Sequence, residues 1–355
     1  MADLLFVING LGLGNSTRCA AIIDELLRRK LSVEVATSGN GIPFFRGYPG
    51  VSALHEMSPL NYGTRSGKVS LWRTFRQLPK LGRNFRDNSQ LLRELIAQHH
   101  YRAVVIDSDY SVVLHRDEIR RPIIAINNSE ELWRTPREVM RLPLSAYAQL
   151  GIELADLLFH RAVPDLVISP TWGKGSGKGR YFRLPSPVRR IRLARRKRNY
   201  PHRVLVMASG SGLGLGKAPF AVPTRFRELR FDIVGIQGAS TPRVKYYGQV
   251  FDTRPFLARA DILVTNAGFS SLSEAIYHQL PSVVIPLERH AEQLANAMRF
   301  EHLGLGLQST EATWDFALEQ VITHWHEYRR NLRQLPFLPN GAHSAAERIH
   351  QFLQD

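Results

Sequence analysis

The chain is poor in cysteine and in long apolar runs. Cys19 is the only cysteine in 355 residues, so no disulfide can form within the chain and a reducing, cytoplasmic setting is expected. No apolar stretch approaches the roughly 20 residues that a membrane-spanning helix needs. The first ten residues carry no basic region ahead of their apolar run, so a secretory leader is not expected.

Acidic residues are scarce relative to basic ones. Asp and Glu number 31 against 47 Lys and Arg, which gives a formal net charge of +16. Such an excess predicts an anionic partner: a nucleotide diphosphate, an anionic lipid surface or a nucleic acid. The sequence has no zinc-ligand spacing, no aromatic RNA-binding strand motif and no heptad-linked basic region, so a nucleic acid is the least favoured of the three.

Short apolar runs alternate with helical patterns in both halves of the chain, and each half opens on a glycine-rich turn. This alternation predicts two doubly wound, Rossmann-like α/β domains that face each other across a cleft, with ligands beyond the carboxyl ends of the strands. The predicted strands are 4–9, 32–37, 104–107, 122–127 and 165–169, then 203–208, 231–234, 262–265 and 281–285.

The chain length favours two domains, and charge and proline content place the boundary between them. We predict an N-terminal acceptor-binding domain over 1–185 and a basic linker over 186–202. A C-terminal donor-binding domain then covers 203–340. The last segment, 341–355, has helical spacing and is expected to pack back on the N-terminal domain.

The most informative stretch is 261–306. A buried strand at Ile262–Thr265 is followed by small or polar residues, among them Asn266 and Gly268, which let a ligand approach the backbone. Ser270 and Ser271 then stand where a helix should begin. A helix N-terminus directly after a strand is a favourable phosphate site, although serines there also serve as plain helix caps.

The same stretch carries polar groups suited to a sugar nucleotide. Glu274, in the first turn of the predicted helix, is placed to accept hydrogen bonds from ribose hydroxyls, or to act only as a partner of the helix dipole. After the next strand, Glu292, Gln293 and Asn296 form a polar cluster near the same sheet edge. Phosphate donors, a ribose acceptor and a hydroxyl-reading cluster together indicate a nucleotide-sugar site.

In this order of motifs the chain resembles the two-Rossmann-domain (GT-B) glycosyltransferases. The nearest likeness is to the bacterial enzymes that add N-acetylglucosamine to lipid-linked peptidoglycan precursor, and to related UDP-glycosyltransferases. The resemblance spans nearly the whole chain and is strongest in 261–306. It implies that a sugar passes with inversion from a nucleotide diphosphate, UDP in this prediction, to an acceptor hydroxyl, without a cofactor.

The resemblance also implies roles for individual donor-side residues. Glu274 would hold the ribose, and Arg189, in the SPVR segment, would lie near the nucleotide. The donor-sugar hydroxyls would meet Glu292 and Gln293, with Asn296 beside them. The phosphates would be held by the tract around Asn266, and by a second glycine loop: Gly268, Phe269, Ser270 and Ser271, then Ser209, Gly210, Ser211 and Gly212.

Residues 10–18 match the acceptor-side glycine loop of these families, which implies acceptor contacts from Gly12, Gly14, Asn15 and Arg18. Asn15 departs from the pattern, because many relatives carry a histidine there that acts as general base in the glucosyl-transferring branch. Asparagine cannot take up a proton at neutral pH. Arg18 is expected to bind an acid of the protein or a phosphate.

Carboxylates near the same sheet edge are the predicted replacements for the missing base. Asp107 and Asp109 follow a buried strand and are the leading candidates, and Glu130 and Glu131 come next. Asp107 alternatively serves only as a strand-end cap. The two aspartates also have the spacing of a metal-binding pair, but they lie in the first half, away from the donor tract. We therefore predict metal-independent transfer.

Basic and aromatic residues alternate over 64–96, a pattern typical of an interfacial helix on anionic lipid. Pro79 and Gly82 are expected to break this segment into short helices. The alternatives are an amphipathic helix packed on the core and a soluble acceptor pocket lined by aromatic rings. The predicted membrane contacts are Trp72, Arg73, Phe75, Arg76 and Arg83.

The acceptor is accordingly expected to be lipid-linked or amphipathic, and the protein to be cytoplasmic or peripheral on the inner face of the membrane. Two other functions fit the same fold. The absence of histidine at Asn15 is compatible with a nucleotide-sugar hydrolase or epimerase. It is also compatible with a catalytically inactive protein that binds a nucleotide sugar.

Overall fold

The apolar runs form strands of two parallel sheets in the computed structural model, which describes residues 2–60, 64–65, 68–69, 71–191, 199–208, 215, 220–337 and 340–354. Contacts divide the chain into two units. Unit 1 contains 1–131, 153–189 and 340–355, and unit 2 contains 132–152 and 190–339. Two parallel-sheet α/β domains were predicted, and this fold class is confirmed.

Unit 1 is built on an eight-stranded sheet of order β3-β2-β1-β6-β7-β8-β10-β9, parallel except for β9 against β10. Its inner strands are buried on both faces, as expected where helices cover a parallel sheet. The strands are β1 (Leu4–Ile8), β2 (Val33–Thr37), β3 (Val51–Glu56), β6 (Ala103–Asp107), β7 (Ile123–Ile126), β8 (Leu166–Thr171), β9 (Ser176–Lys178) and β10 (Tyr181–Pro185). A separate two-stranded ribbon pairs β4 (Thr64–Arg65) with β5 (Lys68–Val69).

The helices that precede residue 129 are α1 (Leu13–Arg28), α2 (Gly41–Phe45) and α3 (Leu71–Gln98). Next come α4 (Ser129–Trp133), α5 (Pro136–Val139) and α6 (Tyr147–Ala162). Residues 132–152, which the sequence assigned to the N-terminal domain, cluster with unit 2 in the structure.

Unit 2 has a six-stranded, fully parallel sheet of order β13-β12-β11-β14-β15-β16. Its strands are β11 (Arg203–Met207), β12 (Arg230–Val234), β13 (Val244–Tyr246), β14 (Ile262–Thr265), β15 (Ser282–Val284) and β16 (Gly306–Gln308). Its later helices are α7 (Arg254–Arg259), α8 (Phe269–Tyr277), α9 (Ala291–His302), α10 (Trp314–Thr323) and α11 (Trp325–Arg333).

In both sheets the strand order reverses beside the first strand of the unit. Successive strands run outward from β1 on one side and from β6 on the other, and likewise from β11 and β14. Ligands of open α/β sheets bind beyond the carboxyl ends of the strands at such switch points. In unit 1 that position holds the turn after β1 and residues 107–111, and in unit 2 it holds the turn after β14.

Helix α3 runs unbroken from Leu71 to Gln98 with Pro79 inside it, so the prediction that Pro79 and Gly82 divide this segment was wrong. An interior proline removes one backbone hydrogen bond. A helix of 28 residues tolerates this loss because its other backbone hydrogen bonds remain. The side chains of Trp72, Arg73 and Phe75 lie outside the described residues, whereas Arg76 and Arg83 are exposed. Across the described chain, no helix is both long and apolar enough to span a bilayer.

The C-terminal helix α12 (Ala342–Phe352) belongs to unit 1, where it packs against α1 and buries Ala345, Ala346 and Ile349. The turn before it is held to the end of β10. Asn340 accepts from the amide of Val188 at 3.1 Å and donates to the carbonyl of Val188 at 2.8 Å. A Cβ at Gly341 would lie 1.8 Å from the carbonyl oxygen of Pro185.

Gly341→Ala should therefore force the start of α12 away from β10. We expect a loss of about 1–3 kcal/mol in the free energy of unfolding, because a side chain is inserted into a site with no room for it. Urea unfolding followed by circular dichroism measures it. Gly82→Ala is the matched control, since a Cβ there meets nothing within 4 Å and alanine favours the helix. Equal stability of the two variants would contradict the packing described here.

Candidate active site

A buried ion pair organises the carboxyl edge of the unit 1 sheet. The Arg18 guanidinium donates to both oxygens of the Asp107 carboxylate, through Nη2 at 2.6 Å and Nε at 2.9 Å. The side chains are 1% and 0% exposed. Two hydrogen bonds between a guanidinium and a carboxylate fix both groups in position. Of the two roles predicted for Arg18, the structure shows the one in which it binds an acid.

The rest of the Arg18 guanidinium joins the first helix to the turn after β7. Nη1 donates to Oδ1 of Asn128 at 2.7 Å, and Nη2 donates to Oδ1 of Asn15 at 3.2 Å. The sequence predicted a loop over 10–18. In the structure α1 begins at Leu13, so Asn15 lies in the first turn of a helix. Gly12 is the N-cap of α1 and Gly14 lies in its first turn.

Asp109 lies two residues beyond β6 in a different environment. Its carboxylate accepts the backbone amide of Ser111 at 2.8 Å. Burial raises the pKa of Asp109 above its ordinary value, and the hydrogen bonds from Ser111 only partly oppose that rise. Ser108, between the two aspartates, has a left-handed backbone with φ of 52°, a costly conformation for serine that turns the chain at this point.

A second polar network was not anticipated from the sequence. Asn127, directly after β7, donates to Oδ2 of Asp156 at 2.6 Å, and the Asp156 carboxylate also accepts the Tyr110 hydroxyl and lies 3.2 Å from Nδ1 of His160. Burial alone would raise the pKa of Asp156, but the hydrogen bond and charge of His160, with hydrogen bonds from Tyr110 and Asn127, lower it. The spacing of Asp156 and His160, one helical turn apart on α6, was the available signal.

The secondary base candidates Glu130 and Glu131 are placed beside arginines. Glu131 is buried, accepts the Thr171 hydroxyl at 2.9 Å and pairs with Arg183 at 3.2 Å. Glu130 lies 3.8 Å from Arg161. Both glutamates therefore form ion pairs with arginines near the ends of β7 and β8.

In unit 2 the predicted phosphate tract forms a tight turn and a helix start. Asn266, just after β14, is buried and donates to the carbonyl of Ile285 at 2.9 Å. Its Oδ1 has no hydrogen-bond partner among the described residues. Gly268 is the N-cap of α8, so Phe269, Ser270 and Ser271 form its first turn. The N-terminus of a nine-residue helix therefore follows closely after the carboxyl end of a buried strand.

The ribose and sugar candidates surround that turn. Glu274 is buried in the second turn of α8 and not in its first turn, where the sequence predicted it. Asn296 on α9 donates to the carbonyl of Ala267 at 3.1 Å and to Glu292 at 3.4 Å. Gln293 accepts the amide of Leu287 at 3.0 Å. The structure therefore brings the 266–271 turn and the start of α9 together at one sheet edge.

His290 is a further polar group of this edge that sequence reasoning did not select. It is the N-cap of α9 and its Nδ1 has no hydrogen-bond partner within the described part of the chain. Burial lowers the pKa of His290 and so favours the neutral imidazole. The charge of Glu292 opposes this shift but does not cancel it. Its position two residues before Glu292 was the signal in the sequence.

Two other donor-side predictions, the 209–212 glycine loop and Arg189, concern residues that the structure does not place at this sheet edge. Ser209, Gly210, Ser211 and Gly212 fall outside the described residues. Arg189 belongs to unit 1, is buried, and places its guanidinium carbon 5.2 Å from the centroid of the Phe44 ring. The donor role of Arg189 stays a prediction.

Comparison with known proteins supports the reading of both units. The family model described as glycosyl transferase family 1 matches residues 2–324. An uncharacterized glycosyltransferase of Methanopyrus kandleri is 26% identical over 310 residues, which cover 80% of this chain and 85% of that protein. The UDP-N-acetylglucosamine--N-acetylmuramyl-(pentapeptide) pyrophosphoryl-undecaprenol N-acetylglucosamine transferase of Streptococcus agalactiae is 28% identical over 131 residues, covering 32% of this chain and 36% of that enzyme.

Solved structures show the same fold at lower identity. The calicheamicin glycosyltransferase CalG4 aligns with a TM-score of 0.62 and 16% identity over 99% of this chain and 98% of its own. MurG of Acinetobacter baumannii aligns with a TM-score of 0.59 and 13% identity over 98% of this chain and 99% of its own. Both support the GT-B fold for the two units.

Asp107→Asn should strongly destabilise the protein, because it leaves the buried Arg18 charge without its carboxylate. We expect a loss of about 3–5 kcal/mol in the free energy of unfolding. Urea titration monitored by tryptophan fluorescence measures it. Glu56→Gln is the control, since the Arg46–Glu56 pair at 2.9 Å is exposed and should contribute little. A small, equal effect of both substitutions would show that the Arg18–Asp107 pair is not a major stabilising contact.

Proposed function

The chain belongs to glycosyl transferase family 1, and from this premise we propose that it transfers a sugar from UDP to a hydroxyl of a lipid-linked or amphipathic acceptor, with inversion and without a metal ion. That it is a glycosyltransferase of the GT-B fold follows from the family and the fold. The donor, the stereochemistry and the acceptor are the proposal.

The observation that carries the donor assignment is the convergence on one sheet edge in unit 2. The N-terminus of α8 begins at Gly268, and Asn296 of α9 is hydrogen-bonded to the carbonyl of Ala267, one residue earlier. Amides at a helix N-terminus suit a diphosphate. Buried Glu274 suits the ribose hydroxyls, and Glu292 and Gln293 suit the hydroxyls of the sugar.

The chemistry follows from a diphosphate leaving group. The acceptor oxygen attacks the anomeric carbon from the face opposite the diphosphate, the carbon–oxygen bond to phosphate breaks, and the electron pair stays on UDP. Fixed helix amides at α8 stabilise the developing negative charge without a metal. In unit 1 both oxygens of Asp107 are engaged by Arg18, which supports a structural and not a metal-binding role for that carboxylate.

The acceptor proton needs a base, and we assign it to Asp109. Asn15 cannot accept a proton, and its side chain already serves Arg18. Both oxygens of the Asp107 carboxylate are held by Arg18, whereas the Asp109 carboxylate accepts the amide of Ser111. The raised pKa of Asp109 makes its carboxylate a stronger base than an ordinary aspartate.

Support for a lipid-linked acceptor comes from two sides. The Streptococcus agalactiae relative is named for a pyrophosphoryl-undecaprenol substrate. In this chain, exposed Arg76, Lys80 and Arg83 accompany exposed Leu78 on α3, a combination suited to an anionic lipid surface.

The donor assignment is tested by calorimetry with UDP, TDP and GDP. Wild type should bind UDP best, and Glu274→Ala should weaken UDP binding by roughly 1–3 kcal/mol, because a buried carboxylate that accepts the ribose hydroxyls is lost. Glu311→Ala, at an exposed position of unit 2, is the control and should bind as wild type does. An unchanged affinity of Glu274→Ala would remove the ribose role, and no binding of any nucleotide would remove the UDP proposal.

The base assignment is tested by turnover. Asp109→Asn should retain UDP binding and lose transfer by about 100-fold or more, the range supplied by general base catalysis. In wild type the rate should rise with pH through the pKa of Asp109, since only the ionised carboxylate accepts the proton. Asp117→Asn, an exposed acid after the same strand, should stay active. Full activity of Asp109→Asn would assign the base elsewhere, and sugar release without any acceptor would indicate a hydrolase.

A further inference from the structure

Residues 134–147, here called the arginine-rimmed segment, belong to unit 2 although the chain before and after residues 132–152 belongs to unit 1. The segment holds Arg134, Arg137 and Arg141 against the single acid Glu138. All three arginines are exposed. It comprises α5 and a short 3-10 turn at Leu144–Ala146 that leads into α6.

One side of the segment is anchored on unit 2. Leu142 and Ala146 are buried against Ala291, with Leu294 and Met298 packed around them, so the inner side rests on helix α9. This apolar contact fixes which side of the segment faces outward. The helix beneath it is the one that carries the predicted sugar-reading residues.

The other side of the segment is apolar and open. Leu144 is 86% exposed and Met140 is 75% exposed, and these are the two most exposed large apolar side chains among the described residues. Tyr147 is 49% exposed at the start of α6. Isolated exposed apolar residues are common, but three within eight residues on an anchored support mark a contact surface.

We propose that the arginine-rimmed segment docks on an anionic phospholipid surface, with Met140 and Leu144 entering the headgroup region and Tyr147 at its boundary. The charge pattern selects this occupant, since arginines around an apolar tip complement anionic headgroups above an acyl layer. A protein partner with an apolar groove would not by itself account for the exposed charges of Arg137 and Arg141. The anchored inner side supplies a rigid support, so little ordering is required on docking.

This contact is distinct from the one proposed for α3. It lies in unit 2, on described side chains, and rests on exposure and packing instead of on sequence periodicity. It extends the proposed function, but its test needs neither donor nor acceptor. A failure of vesicle binding and a failure of UDP binding are therefore separate results.

The experiment is co-sedimentation of the full chain with vesicles of phosphatidylcholine alone or mixed with phosphatidylglycerol. The wild type should bind the mixed vesicles and not the neutral ones. Met140→Ser with Leu144→Ser should lower the partition coefficient about tenfold or more, since it removes the apolar tip, and Arg137→Glu with Arg141→Glu should do the same through charge. Phe316→Ser, at a 61% exposed position of α10, is the matched control and should bind as wild type does.

Each outcome decides the proposal. Unfolding is checked by the melting temperature and by circular dichroism, which the surface substitutions should leave unchanged. Wild-type binding of Met140→Ser/Leu144→Ser, or no binding by the wild type, would overturn it. If only Arg76→Glu with Arg83→Glu abolished binding, the lipid contact would belong to α3 alone. If the apolar double substitution changed the mass in sedimentation velocity and not vesicle binding, the segment would be a contact between copies of the chain.

Discussion

The buried pair of Arg18 and Asp107 is the contact on which the carboxyl edge of the unit 1 sheet depends. It joins helix α1 to the end of β6, and through Asn128 it joins both to the turn after β7. A single buried charge in this position would be strongly unfavourable, so each partner is held in place by the cost of leaving the other buried and unpaired. The pair therefore fixes the first turn of α1, which bears Asn15, and the strand end from which Ser108 and Asp109 project.

The arrangement suggests how the chain manages without a histidine in the first turn of α1. At that position Asn15 supplies an oxygen to Arg18, which a protonated ring could not do. At the carboxyl edge of the unit 1 sheet the two acids therefore differ in their contacts, and the proposed base is the one that is not charge-paired. Asp107 is charge-paired, while Asp109 is bonded by the amide of Ser111 and its pKa is raised by burial. Two nearly adjacent carboxylates thus have different environments, which is the condition for different roles.

Much of the fold was predictable because its signals are local. Runs such as 4–9 and 262–265 are apolar on both faces, which only buried parallel strands require, and glycine-rich turns follow the first strand of each half. The course of 132–152 was not predictable, because its attachment to α9 depends on apolar contacts with residues about 150 positions away. The continuity of α3 through Pro79 was missed because the rest of a long helix outweighs one lost hydrogen bond.

The candidate site likewise contains residues that are close in the sequence and residues that only the fold brings together. The strand–turn–helix unit that carries Asn266, Gly268 and Glu274 could be predicted because these residues fall within nine positions of the sequence. The network of Tyr110, Asn127, Asp156 and His160 could not, since its members are spread over 51 positions and meet only when β6, β7 and α6 assemble. The partner of Arg18 required the parallel alignment of β1 with β6.

The return of α12 to unit 1 has a consequence for the order in which the protein is made. Helix α1 leaves the ribosome before unit 2 does, and α12, the helix that covers it, leaves after unit 2. All of unit 2 is synthesised in between. Domains usually fold as they emerge, from the N-terminus onward. Here the apolar flank of α1 that α12 covers stays uncovered until unit 2 has been synthesised, so the packing of unit 1 is completed only after unit 2 has emerged.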